Sequence, residues 1–131
     1  MREAARAIAA GRIAFGVAAL VAPRLTAAAW IGPVGLWKST TPLTRGFGAR
    51  DVLLGMMALH TLDRPEVARR WLLSLAACDA VDGLATLSAR DRLPRRSVLA
   101  ASVVALGSAA TQVAIAQSLP SQPAASPPPS A

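Results

Sequence analysis

The 131-residue chain contains no tyrosine, one cysteine and one histidine, and only 4% of its residues are aromatic. With Cys78 as the single cysteine, no disulfide can form within the chain. With His60 as the single histidine, a histidine-cluster metal site is excluded and a histidine-based catalytic triad is not expected. The sequence has no basic face with interleaved aromatic residues, so we expect no nucleic-acid partner.

Charged residues are also scarce. They make up 16% of the chain, against the ~25% typical of soluble domains, while hydrophobic residues make up 53%. The net charge of +7 comes from fourteen basic and seven acidic residues, and most of the basic residues lie at the ends of apolar segments or between them. Arginines in such positions flank membrane helices and meet anionic lipid headgroups. The composition therefore predicts an integral membrane protein, with the lipid bilayer as its first partner.

Four apolar segments are close to the ~20 residues that a helix needs to cross a bilayer. The predicted spans are about 5–22, 43–62, 68–89 and 97–118. Prolines and glycines interrupt residues 23–43, and the polar residues 63–65 end one helix and start the next. The predicted fold is all-α, a four-transmembrane-helix bundle over residues 1–118 with the second and third spans as its central hairpin. Residues 119–131 hold five prolines and cannot form a core, which predicts a disordered tail.

The first apolar segment has a second interpretation. A basic start, an apolar run over residues 13–22 and small residues at 27–29 imitate a signal peptide. Pro23 and Arg24 interrupt that pattern, and further apolar segments follow, so a first span is favoured. Small residues at every fourth position predict a smooth face for close helix packing. They are Ala10, Ala14, Ala18 and Ala22.

Four charged residues lie inside the predicted second and third spans. They are Arg50, Asp51, Asp79 and Asp82. A guanidinium or carboxylate in hydrocarbon is costly, and each needs a partner from another helix. At ~100° per residue, the polar side chains of the third span fall on one face, which must look into the bundle or into a wet cavity. We therefore expect an intramembrane charge cluster.

The short turn between these two spans sets their register. A hairpin centred near Glu66 places Arg50 opposite Asp82. We expect these two residues to form a direct ion pair, with Asp79 close enough to share the guanidinium. This register assigns no partner of their own to Asp51 and Asp79. Arg12 and Arg45 are the further basic residues that could reach inward.

The charge cluster permits two functional interpretations. A carboxylate without a countercharge inside a membrane tends to bind a proton. Asp51, Asp79 and Asp82 could thus serve a proton-coupled carrier of a small solute. Such a carrier could assemble as a homo-oligomer, because four short helices enclose little volume. The leading interpretation is a non-catalytic membrane component that acts through helix or lipid contacts with a partner complex. The sequence predicts no cofactor, no metal and no catalytic residues.

Two motifs suggest a family. Residues 45–55 read Arg-Gly-Phe-Gly-Ala-Arg-Asp-Val-Leu-Leu-Gly, and residues 79–83 read Asp-Ala-Val-Asp-Gly. This combination resembles a set of small bacterial four-helix membrane proteins of unknown function. Residues 11–16, Gly-Arg-Ile-Ala-Phe-Gly, are also similar to DoxX-like membrane proteins. The resemblance covers about residues 8–116 and implies a multi-pass bundle in the cytoplasmic (inner) membrane. It supplies no reaction, substrate or site roles.

A second resemblance concerns residues 78–83, which are similar to the start of the aspartate motif of the CDP-alcohol phosphatidyltransferases. That motif continues with Ala-Arg, where this chain has Thr86 and Leu87, and then requires further spaced aspartates that are absent. Without them, two metal ions could not be held near a diphosphate. The departure argues against this enzymatic activity.

Overall fold

The computed structural model of the protein describes residues 2–119, and this part of the chain is helical without strands. The α helices are α1 Arg2–Val21, α2 Pro23–Ile31, α3 Thr41–Thr61, α4 Pro65–Ser88 and α5 Arg95–Ser118. Two 3₁₀ turns, Pro33–Leu36 and Lys38–Thr40, connect α2 to α3. The predicted all-α class is confirmed, and the four long helices match the predicted spans to within three residues at each end. The predicted tail lies outside the described residues from position 120 onward.

Prolines determine where the helices begin. Pro23, Pro42 and Pro65 occupy the first turn of α2, α3 and α4, and Pro94 directly precedes α5. Proline is tolerated there because the first N–H groups of a helix have no partner within it. After α2 the chain turns at Gly32, whose φ of 81° is a backbone conformation that side chains with a Cβ rarely adopt. The short helix α2 is thereby fixed between α1 and the two 3₁₀ turns.

The bundle consists of two closely packed helix pairs, α1 with α3 and α4 with α5. The contact between α3 and α4 is smaller, so this hairpin is not the centre of the bundle, contrary to the prediction from the sequence. Glycine explains the closeness of the first pair. A Cβ on Gly16 would lie 2.6 Å from the carbonyl oxygen of Gly48, and a Cβ on Gly48 would lie 2.7 Å from that of Gly16. The two backbones touch there because neither residue has a side chain.

The smooth face predicted on α1 is not the one that packs. Ala10, Ala14 and Ala18 are exposed, whereas Ala9 and Ala19 are buried. The helix is rotated so that its buried face includes the glycine that meets α3. In a chain so rich in alanine, the spacing of alanines does not identify the contact face.

The packed core lies in one half of the bundle, where the N-terminal part of α1 meets α4 and α5. Its buried members are Ala5, Leu72, Ile115 and Ala116. Outside, large apolar side chains are about half exposed or more. They include Val17, Leu53, Met56, Val81, Leu84, Leu99 and Val103. Soluble monomers rarely expose apolar surface on this scale.

Three helices of the described chain, α1, α4 and α5, are long and apolar enough to cross a membrane. The helix α3 has 21 residues, which is sufficient length. However, every stretch of 18 residues within it contains Arg45, Arg50 and Asp51. Its place in the bundle therefore depends on what those charged side chains contact.

Candidate functional site

Arg12, on α1, is the centre of a charge network inside the bundle. Its Nη1 donates a hydrogen bond of 2.8 Å to Oδ1 of Asp51 on α3. Its Nη2 donates to Oδ1 of Asp79 on α4. All three side chains are nearly inaccessible, with exposed fractions of 10% for Arg12, 11% for Asp51 and 8% for Asp79. One guanidinium therefore ties three helices together with two charge-assisted hydrogen bonds.

Gln112 adds the fourth long helix, α5, to the network. Its Nε2 donates to Oδ2 of Asp79 at 2.6 Å and to Oγ of Ser108 at 2.7 Å. The residue is fully buried. Both carboxylate oxygens of Asp79 thus accept a hydrogen bond, which is how a buried charge is tolerated away from water.

Arg50 forms the more exposed half of the network. Its Nη2 lies 2.6 Å from Oδ2 of Asp82 and its Nη1 lies 3.4 Å from Oδ1. The same Nη2 is 3.6 Å from Oδ1 of Asp51, the oxygen that also accepts from Arg12. The guanidinium sits over the ring of Phe47, 5.1 Å from its centroid. The side chains of Arg50 and Asp82 are 33% and 34% exposed.

These contacts form one continuous chain of alternating charge that passes through α1, α3, α4 and α5. In order, it runs Gln112, Asp79, Arg12, Asp51, Arg50 and Asp82. Opposite charges alternate along the chain, so each charged group has a nearby partner. The chain accounts for the four charges placed inside the predicted second and third spans.

The structure places Arg50 opposite Asp82, as the register of the turn predicts. The expectation that Asp79 shares the guanidinium of Arg50 is wrong, because Asp79 bonds Arg12 and Gln112 instead. Arg12, one of the two further arginines considered from the sequence, supplies the missing countercharge. The other, Arg45, is exposed on α3, and within residues 2–119 no carboxylate lies within 4 Å of it.

Sequence reasoning missed Gln112. The available signal was an amide about two turns before the end of the apolar segment 97–118, which contains no charged residue. A polar group in that position must find a partner in the bundle. Which partner it finds depends on how α5 packs against α4. In that packing Gly83 of α4 lies against Leu106 of α5, and a Cβ on the glycine would lie 2.8 Å from the leucine side chain.

A cavity of about 660 Å³ adjoins the network. The charged side chains of the network line one part of it. The rest is formed by apolar and hydroxyl side chains of all five helices, including Phe15, Trp30, Phe47, Thr86 and Val104. Phe15 and Trp30 pack against each other with ring centroids 5.4 Å apart. The cavity occupies the half of the bundle that contains α2, opposite the packed core.

His60 and Cys78, the single histidine and cysteine of the chain, do not contribute to the charge network. His60 is exposed near the end of α3, and Cys78 is a partly buried free thiol on α4. Among residues 2–119, no group of three or more histidine, cysteine, aspartate or glutamate side chains is placed to hold a metal ion. The network is thus a set of hydrogen-bonded ion pairs beside a cavity.

Comparison of the chain with protein-family models, curated proteins and solved structures finds no match.

Proposed function

We propose that the protein is a four-span integral membrane protein of the cytoplasmic membrane that acts as a non-catalytic component, through helix or lipid contacts with a partner complex. The observation that supports this proposal is the difference in polarity between the interior and the outer surface of the bundle. All charges in the middle of α1, α3 and α4 meet one another inside the bundle, while the outer surface at the same level is apolar.

The network supports α3 as the fourth span. Of its three charged residues, Arg50 and Asp51 contact partners on neighbouring helices and need no water. Arg45 lies in the second turn of α3, where a long side chain can extend to the headgroups. The outward side of α3 carries Leu53 and Met56, both more than half exposed. An α3 of this kind can cross a bilayer in spite of its charges.

Reporter fusions test the four-span topology. With reporters placed after residue 38, after residue 63, after residue 92 and after residue 119, we expect the reporter to change sides at each successive position. The first and third reporters should then share one side and the second and fourth the other. If the reporters after residues 38 and 63 lie on the same side, α3 does not cross. A product recovered in the soluble fraction would contradict membrane insertion altogether.

The cavity favours a second candidate function, because three carboxylates line it and it is large enough to hold a small solute. In this alternative the protein is a proton-coupled carrier of a small solute that uses Asp79, Asp82 and Asp51. The test is solute uptake into proteoliposomes, which should depend on a pH gradient and be lost in Asp82→Asn. Asp82 is chosen because its side chain is one-third exposed, so its replacement should damage the fold least of the three. Uptake that is unchanged in that variant would contradict this role.

A further inference from the structure

We propose that the cavity beside the charge network binds a small amphipathic molecule that carries a single positive charge, such as an organic ammonium or phosphonium ion with an apolar body. The inference relies on the membrane location of the proposed function but does not require transport.

The charged residues that line the cavity favour a positively charged ligand. Three carboxylates, Asp51, Asp79 and Asp82, and two guanidinium groups, Arg12 and Arg50, line it. Fully ionised, the network carries one more negative than positive charge. In a space of low dielectric constant that charge is poorly screened, and a positive group nearby is attracted strongly.

An anion has no comparable site in this cavity. The Nη atoms of both arginines are already bonded to carboxylates. The Nε atoms of Arg12 and Arg50 have no partner, but they are buried, so a ligand in the cavity cannot reach them. An anion would also approach Asp82, the more exposed of the carboxylates.

The walls select an apolar body. A volume of about 660 Å³ lies within the ~300–1,000 Å³ of sites that hold drug-sized ligands. Phe15, Trp30 and Phe47 all contribute to the lining, and aromatic rings attract cations as well as apolar groups. A bare metal ion would use none of this surface, and the described residues offer no cluster of ligands to hold one.

The test is equilibrium binding to the full-length protein in a nonionic detergent. Tetraphenylphosphonium is the probe, and tetraphenylborate, an anion of the same shape, is the matched control. We expect saturable binding of the cation and at least about tenfold weaker binding of the anion, a difference of ~1.4 kcal/mol. Equal binding of the two ions, or cation binding no greater than that of empty micelles, would overturn the inference.

Three variants locate the site. Asp82→Asn removes the excess negative charge and should weaken cation binding by about tenfold or more. Ala85→Phe should reduce binding by filling the cavity, because Ala85 lines it without belonging to the network. Val81→Phe, one turn earlier on α4 and 64% exposed, serves as the control and should bind normally.

The variants keep the inference separate from the proposed function. If Asp82→Asn does not fold, Ala85→Phe and the comparison of the two ions still decide. Cation binding unchanged in Ala85→Phe would show that the probe binds elsewhere and would contradict the site. Binding without uptake would retain the site and dismiss the carrier, whereas an absence of binding would leave the four-span topology intact.

Discussion

Arg12→Ala is expected to reduce the amount of folded protein recovered from membranes more than any other substitution of a basic residue. The guanidinium of Arg12 bonds both Asp51 and Asp79, which are about nine-tenths buried. Its removal leaves two buried carboxylates without their main countercharge, and breaking a buried pair from one side costs about 3–5 kcal/mol. This is a large fraction of the ~5–15 kcal/mol that stabilises a typical protein.

Two further arginine substitutions serve as comparisons. For each variant, the yield of monodisperse protein in detergent and the midpoint of its thermal unfolding are measured. Arg12→Lys should also be harmful, because a single ammonium group cannot reproduce the planar contact with two carboxylates. Arg45→Ala should be close to neutral, because Arg45 is exposed and within the described chain contacts no carboxylate. Equal stability of Arg12→Ala and Arg45→Ala would contradict the central role of Arg12.

Substitutions in the Arg50–Asp82 pair should destabilise the protein less than Arg12→Ala, because both side chains are one-third exposed. Each single alanine substitution is expected to cost more than the ~0–1 kcal/mol of a surface pair and less than the ~3–5 kcal/mol of a buried one. The double substitution should cost less than the sum of the two. Strict additivity would show that the two residues do not interact.

Gly48→Ala is the second substitution with a large expected effect. Its Cβ would lie 2.7 Å from the carbonyl oxygen of Gly16 and 2.9 Å from Cβ of Ala19. Backbone atoms cannot rotate away, so α1 and α3 must separate. Overpacking of this kind costs about 1–3 kcal/mol or more, and the separation would also disturb the bond between Arg12 and Asp51.

Gly46→Ala is the matched control on the same helix. Apart from the adjacent residues and backbone of its own helix, no atom lies within 4 Å of the position that its Cβ would occupy. Alanine forms helices better than glycine by about 0.5–1 kcal/mol, so this variant should be neutral or slightly more stable. The comparison is made by thermal unfolding in detergent. Similar midpoints for Gly48→Ala and Gly46→Ala would mean that the backbones of α1 and α3 are not in contact.

The helices were predictable because hydrophobic length and proline placement are local properties. Each long apolar segment could be read directly, and Pro65 fixed the turn between α3 and α4. The short turn also fixed the depth of Arg50 relative to Asp82. Both inferences use only residues that are close in sequence or joined by a tight connection.

The position of α1 against the other helices was not predictable in the same way. No short turn joins α1 to α3, since α2 and two 3₁₀ turns intervene. Whether Arg12 or Arg45 points inward depends on the rotation of α1 and α3 about their axes. That rotation follows from the Gly16–Gly48 contact, which only the folded chain reveals. Gln112 was missed for the same reason, since its partner belongs to a helix whose packing the sequence did not specify.

The central claim is that the charge network lies within the membrane, with α3 as one of its spans. The most direct measurement is spin labelling of Leu53→Cys in a Cys78→Ala background, with the protein in lipid vesicles. Leu53 is 63% exposed and lies two residues from Asp51. Trp37→Cys, in the 3₁₀ connection and equally exposed, is the control. We predict frequent collisions of the label at position 53 with oxygen and few with a water-soluble nickel chelate, and the opposite at position 37. Nickel collisions as frequent at position 53 as at position 37 would place the network at an aqueous surface and contradict the account.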